Sequence, residues 1–427
     1  MSVALDLNFY LNGQNCCEKD AEMTSTENVF SKFKAKRNKI KNVDLFFTPS
    51  KPIEAPTHLK GRDNEVEHIL NTLTTVGKHC MIYGERGIGK SSLALSTLEG
   101  GKSEEVLPND IFVIRCDTRT KFKDIIAKPA IFIDEEYAAK KRERTKKGGV
   151  GLNVLKLFRA DVSIEEKITI EKEDLTPSKA CFALEDLNAI LLIDEFDVVS
   201  DEVKHDVAEF IKQLSDSNSP LKVLLVGIAS DGASLIAGHP SVNRCLHEIQ
   251  LSRIEDKYLH EIIKTGEDGL GLEFSSDVKK SIVDISNGFP YFTHLIGKEL
   301  ADIALSSGLA KINSDVLPAA LKRAVVNTEG QLKREYEEAV TSSKTNVYPS
   351  ILYAAAKFKD NKFTIQEWIT QIREDTGVSY SNYHMSNYIG RFKKADKGAI
   401  ITKAARGVYK ISDPRMPSYI RMVNGDD

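Results

Sequence analysis

The residues CMIYGERGIGKSS, 80–92, are the most informative segment of this 427-residue chain. From residue 84 onward it matches the pattern GxxxxGK[ST], directly after an apolar run and directly before a helix-forming run. Glycines let backbone N–H groups close around phosphate oxygens, a lysine neutralises β and γ charge, and a hydroxyl can hold magnesium. The pattern predicts a phosphate-binding loop that contains Gly84, Glu85, Arg86, Gly87, Ile88, Gly89, Lys90, Ser91 and Ser92.

A nucleotide site of this kind also needs an acidic strand end, because magnesium takes a carboxylate and hydrolysis needs a base for water. Two segments place Asp and Glu after an apolar run, IFIDEE at residues 131–136 and AILLIDEFD at residues 189–197. The second run is longer, no proline precedes it, and another strand-like run follows it at residues 223–230.

The second segment is therefore the favoured one. We expect Ser91 and Asp194 to hold Mg²⁺ and Glu195 to act as the base. Asp134 and Glu135 of the first segment remain the alternative pair.

Five short apolar runs are separated by helical patterns, which predicts an α/β fold with a parallel sheet covered on both faces. The residues at i, i+3, i+4 and i+7 from Val66 form the apolar stripe of a helix before the loop. The predicted strands are residues 80–83, 111–114, 189–193, 223–226 and 247–251.

The sequence pattern changes after residue 251. From there to about residue 340 it indicates helices and contains no strand signal. Ser252 and Glu255 have the spacing of a capping box at the start of this region. We expect four parts: a basic, partly flexible arm at 1–55, a nucleotide-binding core at 56–251, an α-helical lid at 252–345, and a winged helix at 346–427.

The winged-helix prediction rests on helical patterns after residue 347 and on two β-like runs, 399–402 and 407–411, around a turn at 403–406. An excess of basic residues in this region suits contact with duplex DNA through residues 380–421. We expect the aromatic residues Tyr383, Tyr388 and Phe392 to be core residues. The basic residues are Arg391, Lys393, Lys394, Lys397, Lys403, Arg406, Lys410, Arg415 and Arg421.

Together these motifs resemble AAA+ ATPases of the origin-initiator clade and the related STAND signalling ATPases, from about residue 59 to residue 421. LKGRDNEVEHIL, residues 59–70, resembles the box that lies near adenine and ribose, which implicates Arg62. LLVGIASD, residues 224–231, resembles the sensor 1 strand and puts Ser230 where initiators usually have Asn. The shorter hydroxyl implies slow hydrolysis.

Two further segments carry the resemblance. HPSVNRCLHEIQLS resembles the segment with an arginine finger, which makes Arg244 the candidate to reach a neighbouring subunit's nucleotide. NGFPYFTHLIGKEL resembles the lid motif with Pro290 at a helix start that faces the nucleotide, and it lacks the initiators' sensor 2 arginine, which favours the STAND side. His294 on that helix is either a packing residue or a γ-phosphate sensor.

Composition excludes other classes of function. No apolar run approaches the roughly 20 residues that cross a bilayer, and the first residues lack a secretory signal pattern, so we expect a cytoplasmic protein. Six scattered cysteines argue against a zinc site or a disulfide framework. The net charge of −3 means that any nucleic-acid contact needs a local patch. Besides the carboxy-terminal region, the basic runs at 31–41 and 140–149 are either solvated or contact DNA or a partner.

The resemblance implies an ATPase that uses ATP and Mg²⁺, converts ATP and water to ADP and phosphate, and assembles as a homo-oligomer through nucleotide at subunit interfaces. Three functions fit these features. The first is a DNA-associated switch, and the second is a STAND-like scaffold of prokaryotic anti-phage defence whose effector is a separate protein chain. A nucleotide-locked scaffold that barely hydrolyses ATP is a third.

Overall fold

A computed structural model of the chain describes residues 42–143, 175–229, 242–342 and 346–425, with Ser31, Lys34, Gly232 and Ile236. In the helix that ends at Glu143, side chains are described as far as Ile133. Ser230 and the side chains of the basic run 140–149 lie outside the described residues. So does the basic run 31–41, apart from two of its residues.

A parallel five-stranded sheet forms the centre of the fold, and all five predicted strands are confirmed. The strand order is β2-β3-β4-β1-β5, so the carboxyl ends of β1, β3 and β4 meet at one edge of the sheet. The strands are β1 (His79–Gly84), β2 (Ile111–Arg115), β3 (Ile190–Asp194), β4 (Lys222–Ile228) and β5 (Leu246–Leu251).

Helices cover both faces of this sheet, as the apolar runs predict. Side chains alternate between the two faces along a strand. In β3, Leu191 and Ile193 belong to a core cluster with Phe210 and Ile211, while their neighbour Leu192 is equally buried but outside that cluster. The helices of this part are α1 (Val43–Phe46), α2 (Asp63–Thr74), α3 (Lys90–Ser103), α4 (Phe122–Glu143), α5 (Pro177–Leu184) and α6 (Asp201–Asp216).

The segment that competed for the acidic strand end, residues 131–136, lies within helix α4. The alternative that placed Asp134 and Glu135 at a strand end is therefore wrong. The favoured segment forms β3, which ends at Asp194.

After β5 the chain is mainly helical, as expected, with α7 (Asp256–Leu270), α8 (Ser276–Ser286), α9 (Pro290–Ser307), α10 (Leu317–Asn327) and α11 (Gly330–Val340). One difference is a parallel pair of two-residue strands, β6 (Glu273–Phe274) and β7 (Lys311–Ile312), which are too short to produce an alternating pattern.

The predicted capping box at Ser252 is wrong. Helix α7 begins at Asp256 with Glu255 as its N-cap residue, and no side-chain hydrogen bond caps it. The backbone is still extended at Glu255, and the carbonyl oxygen of Ser252 accepts a hydrogen bond from Arg62 instead.

The carboxy-terminal region contains three helices and a three-stranded antiparallel sheet with the order β8-β10-β9, followed by a last helix. The hairpin turn lies at residues 406–407, later than predicted, because Lys403 and its neighbours pair within β9. The assignment of a winged helix stays a prediction. The elements are α12 (Tyr348–Ala356), β8 (Phe363–Thr364), α13 (Ile365–Thr376), α14 (Asn382–Phe392), β9 (Ile401–Ala405), β10 (Val408–Ile411) and α15 (Met416–Asn424).

Helix α15 does not extend away from the rest of the protein. It packs against α8, α10 and α11 of the helical region as well as against α12. Tyr419 is almost fully buried, its ring lies 5.7 Å from the ring of Tyr336, and the Ser418 hydroxyl donates to the carbonyl of Ser286. The end of the chain therefore joins the helices that follow β5.

The segment at residues 42–53, here called the strap, packs against the helices of the fold, although the sequence predicted it to be part of a partly flexible arm. The ring of Phe47 is fully buried, and a Cβ atom added at Gly266 or Gly297 would lie within 2.4 Å of it. The Ile53 amide donates to the Ser92 hydroxyl at 3.0 Å. The proposed domain boundaries stay predictions, but these contacts tie the strap to α7, α9 and α3.

Candidate functional site: a nucleotide pocket at the end of β1

The phosphate-binding loop leaves β1 in a backbone conformation that glycine allows. Gly87 and Gly89 have φ of 81° and 92°, in the region where side chains are strained. At Gly84 a Cβ atom would lie 2.5 Å from the carbonyl oxygen of Leu251. Gly89 is the N-cap residue of α3, so the loop leads directly into the amino terminus of a helix, where N–H groups can receive an anion.

Lys90 lies at the first position of α3 and is almost buried. Its Nζ donates hydrogen bonds to the carbonyls of Gly84 at 3.1 Å and Glu85 at 2.8 Å, so the ammonium group is held across the loop. Burial lowers the pKa of Lys90 to about 8, against the opposing effect of the Asp197 and Asp194 carboxylates.

Ser91 and Asp194 converge from α3 and from the end of β3. The Ser91 hydroxyl donates to Asp194 Oδ1 at 3.0 Å, and Asp194 is 5% exposed. A hydroxyl and a carboxylate from the protein are the kind of oxygen ligands that Mg²⁺ takes beside phosphate oxygens and water. The pair fits the predicted metal site.

Glu195 follows Asp194 with a φ of 57°, a left-handed conformation that is uncommon for glutamate. Its side chain is exposed toward the pocket that it lines, and its amide donates to Asp194 Oδ1 at 2.9 Å. Asp197, which the sequence did not single out, accepts the amide of Ile228 at 2.8 Å and so joins this turn to the end of β4. Strained backbone at a strand end is common at active sites.

A cavity of about 500 Å³ opens in front of these residues, which is a size that accommodates small-molecule ligands. Its lining comes from the strap with residues 58–60 and Arg62, the phosphate-binding loop with the ends of β3 and β4, and the start of α9. Ile254, Ile262 and Glu329 complete it. The predicted site residues among its lining are Arg62, Arg86, Gly87, Ile88, Gly89, Lys90, Ser91, Ser92, Asp194, Glu195 and Pro290.

Arg62 acts as a brace in this structure. The side chain is 6% exposed and donates to Glu65, to the carbonyl of Ile88 in the loop at 3.2 Å and to the carbonyl of Ser252 at 2.7 Å. Burial lowers its pKa. Arg62 therefore holds the loop against the junction between β5 and α7, beside the pocket.

Pro290 is the first residue of α9 and lines the pocket, as expected. His294, one turn later, is 5% exposed, and its Nδ1 accepts the Thr48 amide of the strap at 3.3 Å. Its ring also makes an edge contact with Phe47. These contacts favour the packing interpretation of His294 over a γ-phosphate sensor.

Arg244 lies just before β5, where the chain enters the edge of the sheet opposite the loop. Its side chain is 63% exposed and pairs with Asp216, and its carbonyl accepts from Lys78. Arg244 does not line the pocket of its own chain. A role toward a neighbouring subunit stays a prediction.

Arg415 is a pocket neighbour that the sequence reasoning assigned to a DNA-binding surface. It is 1% exposed, and its Cδ lies 3.0 Å from the position of a Cβ atom added at Gly87. Its guanidinium pairs with Asp413 and with Glu329, which lines the pocket and also pairs with Arg86. No local sequence pattern indicates that Arg415 contacts Glu329 and Gly87, which lie far from it in the chain.

Two other basic residues of the carboxy-terminal region are partly buried. Arg391 donates to the carbonyls of Ala339 and Thr341, and Arg421 donates to the carbonyls of Ala356 and Asp284. The exposed ones are Lys393, Lys394, Lys403, Arg406 and Lys410.

The aromatic residues of α14 differ from the prediction at one position. Phe392 is fully buried and Tyr388 is partly buried, but Tyr383 is 74% exposed. Tyr383 lies near the amino terminus of the helix, next to its N-cap residue Ser381, where it does not face the apolar stripe of Met385 and Ile389.

Comparison with known families and structures agrees with this geometry. A sequence model of the family described as novel STAND NTPase 1 matches residues 54–294. The Walker-type ATPase paby2304 of Pyrococcus abyssi is similar in fold, with a TM-score of 0.52 at 18% identity over 87% of this chain and 99% of that one. No sequence among curated proteins matches this chain.

Two archaeal structures are more distant. The ORC2 protein of Aeropyrum pernix, in ADPNP–ADP complexes, has 15% identity and a TM-score of 0.47 over 90% of this chain and 97% of that one. Cdc6p of Pyrobaculum aerophilum has 14% identity and a TM-score of 0.44 with the same coverage. No helix in the described part of the chain has the length and apolar content that a membrane span requires.

Proposed function

The chain belongs to the novel STAND NTPase 1 family, and on that premise we propose that it is an ATP-binding and ATP-hydrolysing molecular switch. One observation carries the proposal. Lys90, the Ser91–Asp194 pair and Glu195 come from two separate segments, the start of α3 and the end of β3, and line one cavity, in which each has a role in phosphate chemistry.

Each residue has a defined task in this proposal. The loop amides and Lys90 bind and neutralise the terminal phosphates, while Ser91 and Asp194 hold Mg²⁺, which supplies Lewis-acid stabilisation of phosphate charge. Glu195 accepts the proton of the attacking water. Arg62 keeps the loop in place, and Pro290 begins the helix that closes one side of the pocket.

Two further roles concern Ser230, which lies outside the described residues, and Arg244, which does not line this pocket. Ser230 follows β4 and would orient the attacking water, and its short hydroxyl supports a slow turnover. Arg244 would complete the site of a neighbouring subunit in a homo-oligomer, because it is exposed at the far edge of the sheet. Arg244→Ala should then lower turnover and leave ATP binding unchanged.

The first experiment measures ATP binding and turnover of the purified protein, with oligomer size recorded alongside. Lys90→Ala should abolish binding, because it removes the ammonium group that faces the phosphates, and Glu195→Gln should bind ATP but not turn it over. Lys102→Ala, at the other end of the same helix, is the matched control and should behave as wild type. Turnover in Glu195→Gln at the wild-type rate would contradict the assignment of the base.

Contact with duplex DNA is a second proposal, favoured by the exposed basic residues on the hairpin and at the end of α14. Lys403 and Lys410 lie on the two paired strands β9 and β10, where they can meet phosphate. The charge reversals Lys403→Glu and Lys410→Glu should weaken DNA binding and reduce its salt dependence, with Lys322→Glu on the remote helix α10 as control. DNA-independent turnover and no DNA binding would favour a signalling scaffold that acts through a separate effector chain.

A further inference from the structure

A buried arginine of the carboxy-terminal region, Arg415, lies beside the pocket. Arg415 is 1% exposed and is the N-cap residue of α15, yet its side chain crosses the phosphate-binding loop at Gly87. Gly87 has a φ of 81° and leaves 3.0 Å between an added Cβ atom and Arg415 Cδ. The loop and the arginine are therefore in direct contact.

Two carboxylates bind different nitrogen atoms of the Arg415 guanidinium. Asp413 accepts from Nε at 3.1 Å and from Nη2 at 2.8 Å, so it holds one edge of the planar group in a bidentate pair. Nη1 donates to Glu329 Oε2 at 2.8 Å. Asp413 thus sets the orientation of the guanidinium, and Glu329 engages the remaining end.

Glu329 is shared with the loop itself. The same oxygen, Oε2, lies 3.3 Å from Nη2 of Arg86, the residue just before Gly87. Glu329 lines the nucleotide cavity together with Arg86 and Tyr291, and its side chain is 35% exposed. One carboxylate oxygen at the wall of the cavity therefore serves two guanidinium groups.

A phosphate group is an anion like the Glu329 carboxylate and can take its place beside the two guanidinium groups. We propose that Arg415 is a phosphate-responsive arginine, oriented by Asp413 and held by Glu329, and that the terminal phosphate of bound ATP displaces Glu329 as the partner of Arg415 and Arg86. The inference rests on the proposed function, because it requires ATP at the loop. It adds a residue from the end of the chain to the site.

This exchange of partners at Arg415 would link the bound nucleotide to the carboxy-terminal helix α15. Arg415 is continuous with α15, which packs against α8, α10, α11 and α12. ATP and ADP would pair differently with Arg415, because only ATP brings a third phosphate to this side of the loop. A ligand shifts an equilibrium only through such a differential contact.

The test compares the binding of a non-hydrolysable ATP analogue with that of ADP, by calorimetry in excess Mg²⁺. Glu329→Gln removes the competing charge and retains the side-chain volume. It should raise the affinity for the analogue about five- to tenfold and change the affinity for ADP less than about twofold. Arg415→Lys retains a charge but loses the planar fork, and should lower the affinity for the analogue about tenfold. Glu338→Gln is the matched control, because Glu338 is exposed on helix α11, whose N-cap residue is Glu329.

Equal effects on both nucleotides in Glu329→Gln, or no effect at all, would overturn the proposal and assign the cluster a structural role. Lys90→Ala separates this outcome from failure of the proposed function, because wild-type affinity in Lys90→Ala would contradict nucleotide binding at the loop. A measurement on the wild-type chain adds an independent readout in case a variant fails to fold. Amide hydrogen exchange at α15 should differ between the analogue and ADP, and identical exchange would contradict the coupling.

Discussion

Mild acid should destabilise this protein through two histidines that are buried as neutral rings. His79, at the start of β1, is 1% exposed, and its Nδ1 accepts the Val223 amide at 3.0 Å. Burial, and then the charge of Lys222, lowers its pKa to about 3. His294 is 5% exposed, and burial, followed by the charge of His58, lowers its pKa to about 4.

The size of the effect follows from proton uptake. A histidine in an unfolded chain has a pKa of about 6.5, so between pH 7 and pH 5 the unfolded state takes up about 0.7 of a proton at each site. The folded state takes up almost none there, because the folded pKa values are about 3 and about 4. The stabilisation is therefore complete above about pH 6.5 and is lost as the pH falls. Each histidine contributes a loss of about 2 kcal/mol over this interval, or about 4 kcal/mol together, against a typical total stability of about 5 to 15 kcal/mol.

Urea titrations followed by circular dichroism at pH 7, 6 and 5 would measure this slope. The double variant His79→Asn, His294→Asn can keep both amide hydrogen bonds through Oδ1 but has no ring to titrate, so its unfolding free energy should vary much less with pH. His260→Asn, at an exposed position of α7, is the control and should keep the wild-type slope. A wild-type slope in the double variant would show that the two histidines do not cause the loss of stability in acid.

Two further predictions concern packing and metal. Gly266→Ala would place a Cβ atom 2.2 Å from the Phe47 ring, so it should cost about 1 to 3 kcal/mol in thermal unfolding, whereas Gly390→Ala, with open space around it, should be neutral or stabilising. Removing Mg²⁺ with a chelator should weaken ATP binding about tenfold in wild type and much less in Asp194→Asn, which has already lost the metal carboxylate. An equal response of Asp194→Asn and wild type to the chelator would argue against Asp194 as a ligand.

The parts of the fold that were predictable from the sequence depend on short-range patterns. Apolar runs of four or five residues identified the strands β1 to β4, because buried parallel strands need such runs, and the less apolar run at residues 247–251 identified the edge strand β5. The glycines and Lys90 of the loop were equally visible, since the chemistry of phosphate binding fixes their spacing. The choice of Asp194 over Asp134 rested on the longer apolar run, the absence of a preceding proline and the strand-like run that follows at residues 223–230.

The parts that were missed depend on contacts between distant residues. Arg415 was counted with surface bases because its partner Glu329 lies 86 residues away in the chain. Phe47 was placed in an arm because the glycines that receive its ring are in α7 and α9. At Ser252 a local capping pattern was present, but Arg62 engages its carbonyl and the chain stays extended to Glu255.

The contact between Gly87 and Arg415 also has a consequence for biosynthesis. The loop leaves the ribosome early, whereas Arg415 is added more than 300 residues later. At about 5 to 20 residues per second, this interval is roughly 15 to 65 s, during which the sheet can form without Arg415. A nascent chain could therefore acquire a phosphate-binding loop well before it acquires the group that we propose distinguishes ATP from ADP, so discrimination between the two nucleotides would begin only after Arg415 has been added.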